Sequence, residues 1–401
     1  MAYDLSSAEF LANPAPMLAA MRAEGPLVRV KMPIIGDIWM TTTDITARQL
    51  LKSPALFGRD SLHGTGKTLA QRYWYFPSFL KVLFQNMLGA DGPAHARLRG
   101  LVEPAFNKAS IDDMRPRLTA IADELLDKVD AAQTVDVIQA YTRPLPLKAM
   151  CDLLGIPPED RAMVANWISP LSGPTNAWSM LRGLPGLRKT VRYFRADFAR
   201  VRREPRPGMI TDLVKAEAAG DRLSDDELLA MVVTLFIAGH ETTVHLITMG
   251  IYGLLTLDGG RDALRDRPDE VPLLVEEFMR FWSPVMMTKP HFVREDTVFD
   301  GVSLKKGDQI AALLIAANHD QARFAEPESF IPNRRPNAHL GFGHGPHVCL
   351  GIQLARAEAQ VAITRLFNRF PDLRLAAPNE KPRYLQRVGM RGLKELRLRL
   401  S

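Results

Sequence analysis

The longest apolar run of the chain, Leu228 to Gly239, stops at His240 and Glu241, and it limits the folds available. It is too short for the roughly 20 residues that cross a bilayer. It therefore predicts a buried helix inside a large soluble fold. The 401 residues are enough to bury such a helix, and length alone would allow two or three domains. Hydrophobic residues at 46% and charged residues at 24% exclude a disordered chain, a collagen-like repeat and a membrane-spanning bundle.

Charge and cysteine content narrow the setting. Lys and Arg number 51 against 45 Asp and Glu, a net of +6, which permits an acidic partner and is too mild to imply nucleic acid. Two cysteines, Cys151 and Cys349, rule out a disulfide framework and fit a reducing cytoplasm. Met1 to Phe10 lacks both the basic start of a signal peptide and an apolar core, so neither a signal peptide nor a membrane anchor is expected, and the expected location is cytoplasmic.

No linker, fixed-period repeat or low-complexity tract divides the chain. Apolar residues recur at helical spacing from Ser110 to about Asp130 and from Asp225 to Leu255, the latter after the polar start Ser224-Asp225-Asp226-Glu227. Strand patterns are short: Leu27 to Lys31, Ile38 to Thr42, Thr297 to Phe299 and Gln309 to Leu314. The expected fold class is mainly α with small β-sheets, in one domain spanning 1–401.

Phe342 to Gly351 holds three glycines and one proline: Gly343, Gly345, Gly351 and Pro346 describe a tight loop. Leu350, Leu354, Ala357 and Val361 then share a helix face. Cys349 thus sits on a Gly-rich loop opening a helix, where the dipole and free N–H groups favour a thiolate. Four readings follow: a packing cysteine, a zinc site with His344 and His347, a Cys–His catalytic pair, or an axial thiolate for a haem iron.

Three other patterns stand out. Glu277 and Arg280 lie three apart on one helix face, as pairing side chains do. Ala238-Gly239-His240-Glu241-Thr242-Thr243 places polar groups in the most apolar helix, and predicts a break there. Gly costs about 1 kcal/mol relative to Ala, and a Thr hydroxyl bonded four residues back bends a helix. His95 and Arg99 lie four apart on a helix begun by Pro93.

Phe342, Gly345, Cys349 and Gly351 together resemble the haem-binding signature of the cytochrome P450 superfamily, with Cys349 as axial iron ligand. Glu277 and Arg280 resemble that family's Glu-x-x-Arg pair, and Phe330 to Arg334 its downstream segment. The resemblance makes Glu277, Arg280 and Arg334 a buried structural network. Ala238, Gly239, Glu241 and Thr242 resemble the oxygen-activation segment, in which Thr242 would hold dioxygen and Glu241 relay protons. His95, Arg99 and His347 would contact the haem propionates. His291 stands where the family usually has a propionate-binding Arg, so that either His291 takes the role or Arg294 or Lys289 compensates. His319 likewise stands where Arg is common.

The resemblance implies the cytochrome P450 fold, one haem b, and insertion of one oxygen atom from O2 into a lipophilic small molecule. A peroxygenase, an isomerase or a haem sensor would share Cys349 without needing Thr242. Electrons would come from a separate ferredoxin and ferredoxin reductase, docking near Arg97, Arg335, Arg356, Arg365 and Arg369. Pocket walls are expected at Leu62 to Leu88, which includes Tyr73 to Pro77 and Phe79, at Met286-Met287 and at Val388 to Met390.

Overall fold

A computed structural model describes residues 3–32, 36–68, 71, 86–168, 177–218 and 223–401. Among the described residues, six helices bear on the site: α1 (Gly92–Val102), α2 (Lys108–Leu126), α3 (Pro144–Leu154), α4 (Asp225–Thr256), α5 (Val271–Trp282) and α6 (Ile352–Arg369). The apolar run lies within α4. Its start is fixed by a capping box, in which the Ser224 hydroxyl accepts from the Glu227 amide and the Glu227 carboxylate from the Ser224 amide. Asp225, Asp226 and Glu227 in the first turn complement the helix dipole.

The break predicted at Gly239 to Thr243 does not occur, and α4 is helical from end to end. The polar side chains bond back onto their own helix. His240 Nδ1 lies 2.7 Å from the Phe236 carbonyl, and the Thr242 hydroxyl donates to the Ala238 carbonyl at 2.9 Å. Their polar groups are satisfied without opening the helix. By length and composition α4 could cross a membrane, but Leu228 to Val233, Phe236 and Ile247 are at most 1% exposed inside the protein. It packs against α3, α5 and α6 as the core helix the run predicted.

Among the described residues, ten short strands form the sheets: β1 (Leu27–Met32), β2 (Gly36–Thr41), β3 (Phe57–Gly58), β4 (Thr134–Asp136), β5 (His291–Val293), β6 (Thr297–Phe299), β7 (Val302–Leu304), β8 (Gln309–Ala312), β9 (Arg374–Leu375) and β10 (Arg397–Arg399). The largest sheet has the order β1-β2-β8-β5-β3, the second β4-β10-β9, and β6 and β7 form a hairpin. The expected strand through Leu314 ends at Ala312, because Leu314–Asn318 turns helical. In the first sheet β8 pairs His291 with Ile310, and β3 pairs Phe57 with Val293 and Gly58 with Phe292. That register brings the residue after β3, Arg59, beside His291.

Candidate functional site

The cysteine loop is built by short backbone bonds. The Cys349 amide donates to the Phe342 carbonyl at 2.8 Å and the Val348 amide to the Gly345 carbonyl at 3.0 Å. Gly345 has φ +71°, and a Cβ there would stand 2.1 Å from the Leu51 carbonyl oxygen, so only glycine fits. Phe342 closes the loop from outside, with the Arg356 guanidinium 5.3 Å from its ring centre. Gly351 caps α6, and a Cβ on it would extend into open space.

Cys349 faces a cavity of about 140 Å³ between this loop and α4. Ala238, Gly239 and Thr242 of α4, His95 and Arg99 of α1, and His347, Cys349 and Gly351 of the loop all line it. Met87, Leu88, Phe106, Met150, Leu235 and Leu354 make the remaining wall mostly apolar. Burial pushes the Cys349 thiol pKa up, against the Gly351 amide and the Arg99 and Arg356 charges that favour the thiolate. The Gly351 amide at the helix start favours the thiolate as expected, burial outweighs it, and a bound metal would displace the proton. Cys151 is buried at 0% exposure in the core with its thiol pushed up to about 12 by burial, which fits a packing role.

Among the described residues no group of three or more His, Cys, Asp or Glu side chains is placed to hold a metal ion, so His344, His347 and Cys349 do not form a zinc site. Residues 270–391 match the cytochrome P450 family profile. The chain is 36% identical over 397 residues to the vitamin D(3) 25-hydroxylase of Pseudonocardia autotrophica, covering 98% of this chain and 95% of that protein. The chain belongs to the cytochrome P450 family. It is 37% identical to the mycinamicin IV hydroxylase/epoxidase of Micromonospora griseorubida, over 92% of this chain and 91% of that one. A myxobacterial cytochrome P450 crystallised with myristic acid superposes with a TM-score of 0.91 at 35% identity, over 99% of this chain and 98% of that one. Membership carries with it a haem cofactor and monooxygenase activity on lipophilic substrates.

The residues of this P450 fit a haem. The sulfur of Cys349 and the small residues Ala238 and Gly239 line one apolar cavity, and at its edge stands a surplus of nitrogen bases. His95 and His347 have ring centres 4.1 Å apart. Arg99 Nη1 donates to the Val348 carbonyl at 2.8 Å, clamping α1 to the cysteine loop. Arg59 Nε donates to His291 Nε2 at 2.9 Å, and the other side of the buried His291 ring faces the Ile310 backbone. Two carboxylates answer them: Glu103, exposed and 3.5 Å from Arg99, and the more buried Asp91. Asp91 pairs with Arg294 at 2.8 Å, lies 4.0 Å from His347, and accepts from the Arg59 and Asp60 amides. Burial opposes its ionisation, but these donors hold it well below the usual carboxylate range. Burial and the neighbouring cations push His95 down to about 4 and hold His291 well below the ordinary imidazole value. Such a cluster suits a cofactor that carries carboxylates.

Glu241 does not line the cavity. Its carboxylate is 3.4 Å from Arg387 and from His245 and 3.5 Å from Arg143, with His240 at 3.8 Å. Burial disfavours its charge, yet His245, Arg143 and His240 outweigh that and bring its pKa down to about 2. The relay implied by the motif would require it to leave these partners. Sequence reasoning also missed Glu358, one face of α6 behind Thr243. It is 0% exposed, and among the described residues only the Thr243 hydroxyl, which leans mainly on the Gly239 carbonyl at 3.4 Å, is near enough to favour its charge. Burial raises its pKa to about 8.

The structure joins Glu277, Arg280 and Arg334 in one buried network. Arg280 forks onto Glu277 at 2.7 and 2.8 Å, Arg334 Nε reaches the same carboxylate at 3.2 Å, and Asn337 donates at 3.0 Å. Both arginines also donate to the Ser329 carbonyl, which ties the segment before the cysteine loop to α5. His319 sits beside it, bonded to Glu328 and to the Phe281 carbonyl at 3.0 Å each. The expected pocket wall at Met286 and Met287 is instead core, 1% and 8% exposed against the first sheet. The aromatic segment Tyr73 to Pro77 and Phe79 lies outside the described residues.

Proposed function

We propose that the cavity seats haem b with Cys349 as axial ligand, and that the whole chain acts as one cytoplasmic domain fed by a ferredoxin. The observation that carries this is the meeting of Cys349, Thr242, His95, Arg99 and His347 around a single cavity. When bound, a thiolate-ligated haem supplies the activation of dioxygen. Per turnover one oxygen atom enters the substrate and the other leaves as water, with two electrons and two protons taken up. The apolar wall holds a lipophilic substrate and excludes water. Thr242 Oγ1, whose hydrogen rests on the Ala238 carbonyl, is the hydroxyl placed to pass protons at the cavity. Glu241 serves as the reserve proton carrier once it is released from Arg143 and Arg387.

The docking surface needs revision. Arg97 pairs with Glu227, Arg356 with Glu276 at 2.7 Å, Arg365 with Asp123 at 2.7 Å and Arg369 with Asp127 at 2.9 Å. Their charges are largely spent, whereas Arg335 is exposed and Lys52 stands beside the cysteine loop. Steering of an acidic ferredoxin then rests on Arg335 and Lys52. Reduction rates that ignore both salt and Arg335→Glu would remove this part.

The central test is one spectrum. The reduced protein exposed to carbon monoxide should show the red-shifted Soret band of a thiolate-ligated haem, and Cys349→Ser should abolish it. Absence of that band from the wild type would overturn the assignment. Lipophilic compounds that shift the ferric spectrum then identify the substrate class.

A further inference from the structure

At the propionate edge this chain carries His291 where a guanidinium is usual. We propose that Arg59, held in place by His291, supplies that guanidinium and grips a haem propionate. The inference rests on the haem reading above.

Three observations carry it. First, β3 pairs with β5, so Arg59 emerges beside His291 and donates from Nε to His291 Nε2 at 2.9 Å. That bond fixes the plane of the guanidinium and leaves Nη1 and Nη2 without partners among the described residues, the fork that matches a carboxylate. Second, among the described residues no carboxylate forms an ion pair with the Arg59 side chain, and the Asp91 charge reaches it only from a distance. The Asp91 carboxylate accepts its backbone amide but forms its ion pair with Arg294. Arg294, one of the two residues that sequence reasoning offered as a substitute, is thereby committed. Third, Lys289 stands near enough that the Arg59 charge, after burial, helps push its pKa down to about 8. The like charges of the half-buried Arg59 and the exposed Lys289 repel, and a propionate accepting from Arg59 lessens that repulsion.

His291 is then a positioning residue. Burial and the Arg59 charge keep its ring neutral, which leaves the Nε2 lone pair free to accept from Arg59.

The test compares ferric wild-type holoprotein, Arg59→Gln, and Arg59→Gln combined with His291→Arg. Each is first checked for the carbon monoxide band and then mixed with excess apomyoglobin, and haem transfer is followed in the Soret region. Loss of a charge-assisted bond predicts transfer about ten- to a hundredfold faster from Arg59→Gln with the thiolate band intact. The double variant should recover most of that loss, because His291→Arg returns a guanidinium from β5, which a merely structural role for Arg59 would not allow. An unchanged transfer rate in Arg59→Gln overturns the proposal, as does a double variant no better than the single one. Should Arg59→Gln accumulate no holoprotein, the double variant decides by whether loading returns. A wild type without the thiolate band would instead defeat the haem reading, and this proposal with it.

Discussion

Glu358 offers a quantitative test of how the core of α6 is built. Its carboxyl is fully buried, no charged group offsets it among the described residues, and burial raises its pKa from 4.5 to about 8. Between those values the folded protein keeps a proton that the unfolded chain has released. Stability therefore falls as pH rises through this window, by about 1.4 kcal/mol per pH unit. From 4.5 to about 8 the fall amounts to roughly 5 kcal/mol, and it levels off above. Glu358→Gln removes the titration. The amide has its own unsatisfied donors, but that cost is independent of pH, so the diagnostic is the slope of the difference between the two proteins. Holoprotein unfolding in urea at half-unit steps from pH 5 to 8.5 should show the variant gaining on the wild type up to about pH 8 and then levelling. Taking the difference cancels every other titrating group, Glu241 and His95 included. A difference that stays flat across this range would refute the argument that Glu358 is held protonated.

Thr242→Ala should leave the carbon monoxide band intact while diverting electrons from product to peroxide; unchanged coupling, measured as product formed per electron consumed, would remove Thr242 from proton delivery. Glu277→Gln should destabilise the fold by about 3–5 kcal/mol, because two buried guanidinium groups lose their counter-charge; equal thermal unfolding of variant and wild type would count against the network. Gly345→Ala forces a Cβ against the Leu51 carbonyl at φ +71° and should lower haem content per mole of purified protein. Normal loading would show that the loop yields at little cost.

How much of this was legible in sequence follows from the range of each constraint. The cysteine loop was, because the need for glycine at Gly345 is local and written in the residue itself. The Glu277–Arg280 pair was legible for the same reason, three residues apart on one helix. The break in α4 was misjudged because back-bonding from His240 and Thr242 satisfies the polar groups inside an intact helix. Glu358 was invisible: a charged residue on a helix reads as surface, and only the packing of α6 against α4 shows that it is buried. The docking arginines were overvalued, since a charge count cannot show that Arg365 and Arg369 meet Asp123 and Asp127 of the α2 region.

The propionate edge shows why such misses collect around a cofactor. A motif names the position of a guanidinium along the chain, but a carboxylate recognises only its position in space. His291 fails the motif, yet Arg59 arrives at the same place from 232 residues earlier, carried there by the pairing of a two-residue strand with a three-residue one. Strands that short have no periodicity to read. What determines the chemistry is the register of β3 on β5, and the same register explains why Arg294, next along from β5, turns to Asp91 instead. Replacing a ligand without losing its charge is thus open to any residue that a neighbouring strand can deliver, which a search along the chain for the missing Arg would not find.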